Sequence, residues 1–308
     1  TMELWQLRQL QSLSLRAKVA RSERKIREWY HHWEGQVYVS FSGGKDSTVL
    51  LHLVRSLYPD VPAVFVDTGL EYPEIREFVK LHDNVVWLKP KMNFKTVIEK
   101  YGFPVVSKCV GQYVHEVQNA KGETATKRLR LTGKKPDGSF SGLGMIPLKW
   151  QSLCTAPFKV SDRCCNVMKK NPAKQYAKQT GKKCMLGIMA EESNMRQMQW
   201  VRHGGCNAFH LDTPTSKPVS FWLESDIWQY LREFNVPYSK IYDPPFNANR
   251  TGCMFCMFGV HMEKGENRFQ KMYRTHPKQW KYCMDKLGLR EVLAYIGVGC
   301  EPEPDLFR

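Results

Sequence analysis

Three features of this 308-residue sequence predict an α/β fold built on a doubly wound, mostly parallel sheet. Short apolar, β-rich runs alternate with helical patterns, the links between them are short, and the first strand runs straight into a Gly-rich turn that opens a helix.

The elements follow in order. Residues 2–33 carry Leu, Trp, Ile and Tyr at helical spacing among Arg, Lys and Glu, so 1–35 is expected to be a helical extension. QVYVSFS, residues 36–42, reads as a buried strand, and DSTVLLHLVRSLY as the helix after it. VPAVFVDTG is a second strand ending in Asp67, Thr68 and Gly69; YPEIREFVKLH is a helix with Pro in its first turn; NVVWLKP is a third strand. From Lys121 to Trp150 the periodicity dissolves, with seven Lys or Arg against two acids. That stretch is expected to be a long basic loop or insertion, serving as a lid, a polyanion contact or a solvated tether. Residues 158–182 predict a basic helix interrupted around Pro172. Cys184 to Met189 is a further buried strand, followed by a loop holding Glu191, Glu192, Ser193 and Arg196. PVSFWLESDIWQYLREFNVPYSKIYD predicts a short strand and then a helix capped by Ser225 or Asp226. The nucleotide-binding α/β domain is thus expected over 36–245, with the insertion at 121–150. A cysteine-containing loop and a small helical tail are expected over 246–308.

Composition bounds the function. With 42% hydrophobic and 25% charged residues, the chain reads as globular. No apolar run approaches the roughly 20 residues a membrane helix needs, and TMELWQLRQLQSL is amphipathic rather than leader-like. A cytoplasmic protein with no membrane partner is therefore expected. A net charge of +16 favours polyanions, or the steering of small anionic substrates. In that compartment ten cysteines predict metal ligation or catalysis where they cluster, not disulfides.

The strand-to-helix turn Ser42-Gly43-Gly44-Lys45-Asp46-Ser47, with Ser40 just before it as a further candidate ATP contact, is placed where an α/β sheet binds ligands, at the carboxyl end of a strand. Two glycines let the backbone approach an anion, and the N–H groups and dipole of the next helix receive it. Lys45 adds a charge, Ser42 and Ser47 add hydroxyls, and Asp46 either caps the helix or meets a phosphate-bridging Mg²⁺ ion. The pattern is neither G-x-x-x-x-G-K-[ST] nor G-x-G-x-x-G. SFSGGKDS instead resembles the pyrophosphate-binding loop of the PP-loop ATP pyrophosphatases, which split ATP between its α and β phosphates. The resemblance implies ATP and Mg²⁺ as ligands, with Lys45 and Asp46 catalytic. It also implies that Asp67, Thr68 and Gly69 lie where such enzymes place the nucleoside, and that Glu191 and Arg196 can reach phosphates or substrate.

VFVDTGLEYPE, GIMAEESNMR and PVSFWLESDIWQYLREFNVPYSKIYD resemble segments of the phosphoadenylylsulfate (PAPS) reductase-like family, which includes DNA-phosphorothioation ATP pyrophosphatases. Cys164-Cys165, followed 88 residues after Cys165 by Cys253-x-x-Cys256, resembles the [4Fe–4S] pattern of adenylylsulfate reductases. Four thiolates from two segments can hold such a cluster, with Arg163, Lys169, Lys170 and Arg250 offsetting its charge, and Cys₄ zinc is the alternative. Sulfonucleotide reductases usually carry a degenerate loop and a catalytic E-C-G-[IL]-H segment. Here the loop is whole, and Cys300 has no His after it but has Glu301 and Glu303, which would raise its pKa. The resemblance therefore implies an enzyme that adenylylates a substrate for sulfur transfer, with nucleic acid as acceptor (DNA phosphorothioation or RNA thiolation). A sulfur donor such as a cysteine desulfurase is the implied partner, and a homodimer is compatible. A PAPS or adenylylsulfate reductase, or a nucleotide-sensing module with a structural metal site, are the alternatives. Trp222, Trp228, Tyr230, His52, His210 and His261 read as structural.

Overall fold

The structure, a computed structural model, describes residues 2–302. Its strands are β1 (Val37–Ser40), β2 (Ala63–Val66), β3 (Val85–Leu88), β4 (Val105–Val106), β5 (Lys183–Leu186), β6 (Asn207–Ala208), β7 (Thr215–Ser216) and β8 (Met257–Phe258). Six of them form one sheet in the order β3-β2-β1-β5-β7-β6, parallel except at the β6–β7 edge. The α/β, mostly parallel architecture is as expected. From β1 the chain winds outward through β2 and β3, then returns to the other side of β1 as β5. The strand order therefore reverses at β1, and the crevice beyond the carboxyl end of such a strand is where open α/β sheets take ligands.

The chain divides into two compact units. One comprises residues 1–67, 71–89 and 172–251, and the other 68–70, 90–171 and 252–308. The expected boundaries at 35 and 245 are not where they part. The reason is long-range pairing: the parallel pair β4–β8 ties the middle of the chain to its end, and the N-terminal helices belong to the first unit's core. Helices Leu4–Gln11 and Leu15–His32 bury Leu7, Leu15, Ile26 and Trp29 in the cluster that holds Val39, Phe41, Leu50 and Trp222. Lys18 is buried against the Asp226 carboxylate at 2.6 Å, and the Trp222 indole donates to Ser22 Oγ at 2.9 Å. Losing one member of such a desolvated pair is far costlier than losing a surface ion pair.

Three local expectations are corrected. Residues 121–150 are not a plain loop, since they carry the helix Ala125–Thr132 and short 3₁₀ turns, with Ile146 wholly buried. Apolar side chains too sparse to register as a period still anchor the segment. The basic helix begins at Cys164, not Phe158, and passes through Pro172 by way of a π-turn over Asn166–Lys170. A π-turn shifts the hydrogen-bond ladder, so the N–H that proline lacks breaks nothing. Finally, Asp226 is not the cap of helix Glu224–Glu233. It sits inside the first turn and accepts the Leu223 N–H at 2.6 Å, and the strand before it is only Thr215–Ser216.

Candidate functional site

In the first unit, β1 ends at Ser40 and the helix Lys45–Leu57 begins at Lys45, so four residues make the turn. Gly43 has φ +72°, and a Cβ there would lie 2.8 Å from both Ile75 Cγ2 and Val79 Cγ2. At Gly44 a Cβ would stand 2.8 Å from Thr251 Oγ1. Gly43 therefore requires glycine for its conformation, and at both positions close approach leaves little room for a side chain. Ser47 Oγ accepts the Ser42 N–H at 3.2 Å and donates to the Gly44 carbonyl at 2.9 Å, which holds the loop in its curve. The amides of Asp46 and Ser47 have no acceptor among the described residues. Two donors and the helix dipole are thus left for an anion.

Lys45 is buried, 6% exposed, with its ammonium 3.4 Å from Asp46 Oδ1 and 3.2 Å from Glu224 Oε1. Burial works against its charge, but Asp46, Tyr242 and Glu224 together carry its pKa upward. Burial also raises the Asp46 carboxyl, against the opposing pull of Lys45 and with Glu192 and Glu224 adding to the rise. Asp46 Oδ1 is buried without a hydrogen-bond partner. A buried carboxylate oxygen with no hydrogen bond, facing only the Lys45 ammonium at 3.4 Å, beside an anion-binding turn suits a hard divalent cation, so the donor set fits Mg²⁺.

The remaining nucleotide-site residues divide by unit. Asp67 follows β2, beside β1 in the sheet, and is buried with Arg76 Nη2 donating to it at 2.8 Å. Thr68 and Gly69 group with the second unit, where Thr68 Oγ1 accepts the Leu70 N–H at 3.1 Å. Glu191 accepts the Glu224 N–H at 2.6 Å and so fixes the helix start that presents Glu224 to Lys45. Arg196 is engaged by Glu192. Sequence reasoning missed four participants: Tyr242, Thr251, Glu224 and Gly187. Tyr242 Oη accepts the Lys45 N–H at 2.9 Å and lies 3.2 Å from Thr251 Oγ1. A Cβ on Gly187 would lie 2.9 Å from the Asp46 carbonyl oxygen, so this glycine seats the back of the loop. Only Gly187 carried a signal, a glycine just after a strand; the others come from distant segments.

In the second unit, Cys164, Cys165, Cys253 and Cys256 line one pocket with Leu70, Phe94, Pro104, Met168 and Lys169. The sequence pattern is thus brought together. Cys164 and Cys165 open the helix that includes the π-turn, and the Cys256 N–H donates to the Cys253 carbonyl at 3.2 Å to close the C-x-x-C turn. Burial raises the Cys256 thiol, against the opposing pull of the Phe258 N–H, Arg268 and Lys108. Cys165 is held down at about 6, first by its bond from Cys164 and then by Lys108, Lys169 and Lys170, against burial. Cys164 is pushed up by the same bond, by burial and by the other three thiols. Among the described residues no three His, Cys, Asp or Glu are arranged to clasp a single metal ion. Four convergent thiols, an apolar lining and a basic rim nonetheless make a donor set that fits a thiolate-ligated, negatively charged group.

Cys300 lies elsewhere in this unit, 3.8 Å from Arg290 Nη1. Burial raises its pKa, Arg290 lowers it and Glu301 raises it, while Glu301 also takes Arg290 at 2.6 Å. A cation does face this thiol, supplied by a segment the local sequence does not reveal. Glu303 lies outside the described residues. No helix among the described residues is long and apolar enough to cross a membrane.

Comparison with known proteins places these features in a group. The family described as phosphoadenosine phosphosulfate reductase domain matches residues 36–104 and 83–304. Two uncharacterized proteins of Methanocaldococcus jannaschii are each 26% identical, over 83% and 86% of this chain. The chain spans only 42% and 52% of their lengths, about half. An adenosine 5′-phosphosulfate reductase of Staphylococcus epidermidis is 23% identical over 75% of each sequence. Among solved structures, a PAPS reductase from Candida auris in a phosphate complex aligns over 82% of this chain and 96% of its own, at 14% identity and TM-score 0.45. The U34-tRNA thiolase NcsA from Methanococcus maripaludis with its [4Fe-4S] cluster aligns over 94% and 84%, at 15% identity and TM-score 0.37.

Proposed function

This chain belongs to the phosphoadenosine phosphosulfate reductase domain family, and we propose that it is the ATP-cleaving, sulfur-transferring kind of member. One observation carries the reading. The whole S-G-G-K-D-S turn stands at the sheet's reversal point with two free amides, a buried Lys45 and a buried Asp46 oxygen that makes no hydrogen bond. A pre-activated sulfonucleotide offers no β,γ-pyrophosphate for such a turn to hold; ATP does.

In this reading the amides of Asp46 and Ser47 and the hydroxyls of Ser42 and Ser47 bind the β and γ phosphates. The Lys45 ammonium offsets the charge that builds on the leaving pyrophosphate. Glu224, held by Glu191, aims Lys45 from its other side. Asp46 would hold Mg²⁺, which supplies charge neutralisation across the phosphates. An acceptor oxygen attacks the α-phosphorus, the α–β bridging bond breaks, and pyrophosphate departs with the electron pair. The terminal sulfur of a persulfide donor, such as a cysteine desulfurase, then attacks the adenylylated carbon or phosphorus and displaces AMP, and a thiol reductant cleaves the resulting S–S bond, leaving the sulfur on the acceptor and the donor cysteine in a disulfide with the thiol. Cys164, Cys165, Cys253 and Cys256 would hold the [4Fe–4S] cluster, or zinc, and a cluster ligated by all four thiolates would supply electron transfer rather than an open iron site. Lys108, Lys169 and Lys170 favour the thiolate forms that ligation needs. The acceptor class in this reading is nucleic acid, in keeping with the +16 charge. The test is pyrophosphate release from ATP, with and without acceptor, in wild type and Asp46→Ala.

The second reading is a sulfonucleotide reductase. It is favoured by the relatives named as adenosine 5′-phosphosulfate reductases and by the cation beside Cys300. Cys300→Ser separates the two readings: it abolishes thiol-dependent sulfite release in a reductase and leaves pyrophosphate release intact in the first reading.

A further inference from the structure

Residues 121–149, in the second unit, form a braced basic platform, and we propose that it docks single-stranded or looped nucleic acid. The proposal rests on the sulfur-transfer reading for its purpose, but its evidence is independent of the nucleotide loop.

The helix Ala125–Thr132 is capped by Thr124, whose hydroxyl accepts the Lys127 N–H at 3.1 Å, and none of its residues is fully buried. It ends at Gly133 in the left-handed region, φ +72°. Lys134 then bridges antiparallel to Phe140, and the turn between them is closed by the Lys135 N–H on the Ser139 carbonyl at 2.9 Å. Gly133 has a second role. A Cβ there would stand 2.4 Å from the Phe140 ring, so the ring rests on the bare glycine while 68% of the residue stays exposed. Arg130 braces the platform from below: it stacks 3.6 Å from the Tyr113 ring centroid, pairs with Glu116 at 2.7 Å and donates to the Gly144 carbonyl at 3.0 Å. Wholly buried Ile146 donates its N–H to the Arg130 carbonyl at 2.8 Å. The surface is therefore built, and a solvated tether would have none of this bracing.

What it offers is charge and a π-face. Lys121, Arg128, Lys134, Lys135 and Lys149 are exposed, and none makes an ion pair among the described residues. Of the two acids here, Glu123 faces Lys127 at 3.7 Å and Asp137 is bonded by Ser139. Uncompensated cations beside an aromatic ring seated on one side and open on the other match a sugar-phosphate backbone whose unstacked bases need a partner. The exposed apolar residues Phe140, Leu143 and Leu148 lie in turns rather than as a helix stripe, which argues against insertion into a lipid surface.

The experiment is fluorescence anisotropy of the full chain with labelled single-stranded RNA, single-stranded DNA and blunt duplex across a salt series, with anionic phosphatidylserine vesicles in parallel. Wild type should prefer single strands, and the RNA and DNA arms then identify the source. R128E/K134E/K135E should weaken binding at least about tenfold and flatten the salt dependence by about two in log–log slope, near 0.7 for each phosphate left without its cation. Phe140→Ala should weaken binding about fivefold or more with the slope unchanged, and Phe140→Trp should restore it. ATP binding measured by calorimetry should be the same in all variants. Unchanged single-strand affinity in both the charge and Phe140 variants would overturn the proposal, as would stronger binding to vesicles than to any single strand. Loss of pyrophosphate release with this binding intact would instead overturn the ATP reading.

Discussion

The nucleotide loop spans six consecutive residues, whereas the cysteine pocket draws its four thiols from two segments 88 residues apart. The loop's donors are two backbone amides and three side chains of the same six residues, and their positions follow from two glycines and a helix start. The pocket's donors are side chains, placed only once helix, π-turn and C-x-x-C turn have all formed. A loop of the first kind is sensitive to atoms added within it; a pocket of the second kind is sensitive to anything that moves either segment. Metal loading of such a pocket is also coupled to folding.

Four substitutions probe that contrast. Lys45→Ala and Asp46→Ala each remove charge chemistry from the loop and should reduce pyrophosphate release by about 10²-fold or more, as loss of a preorganised electrostatic group does. The absorption spectrum of both variants, purified anaerobically, should match that of the wild type. Cys256→Ser should do the reverse, abolishing the broad absorbance near about 400 nm expected of a thiolate-ligated iron cluster, with ATP binding retained by calorimetry. Loss of ATP binding in that variant would erase the distinction between the two regions. Gly44→Ala pushes a methyl against Thr251 Oγ1 and Tyr242 Oη. It should weaken ATP about tenfold for a stability cost of only about 1 kcal/mol.

Smallest in size is a stability effect with a fixed sign. Burial raises the Asp46 pKa, so the folded chain disfavours the ionised carboxylate. Stability from this group is present below the unfolded-state pKa and lost as pH rises through the folded one. At neutral pH Asp46→Asn should therefore raise the melting temperature of the nucleotide-free protein while abolishing turnover. A lowered melting temperature would mean that the Lys45–Asp46 pair outweighs the cost of burying the carboxylate.

The loop and the sheet were legible because their signals are local. Apolar runs of four or five residues become β1, β2, β3 and β5, and Gly43 and Gly44 mark the turn that needs them. Cys164, Cys165, Cys253 and Cys256 were readable as a spacing, and the fold then brings them together. Tyr242, Thr251 and Glu224 were not readable, since nothing in a lone tyrosine two hundred residues away says that its oxygen will meet the Lys45 amide. The braced platform at 121–149 was missed for a related reason. Its order comes from single contacts, Arg130 on Tyr113 and Phe140 on Gly133, which have no period. Arg290 beside Cys300 likewise arrives from another helix.

The most direct test follows the phosphorus. With ATP, Mg²⁺, a persulfide sulfur donor with excess thiol, and single-stranded RNA or DNA, ³¹P NMR of the reaction should show pyrophosphate and AMP appearing together, and neither with Asp46→Ala. ATP left intact while adenylylsulfate is reduced to sulfite, or cleavage to ADP and phosphate, would contradict a loop built to split ATP between its α and β phosphates.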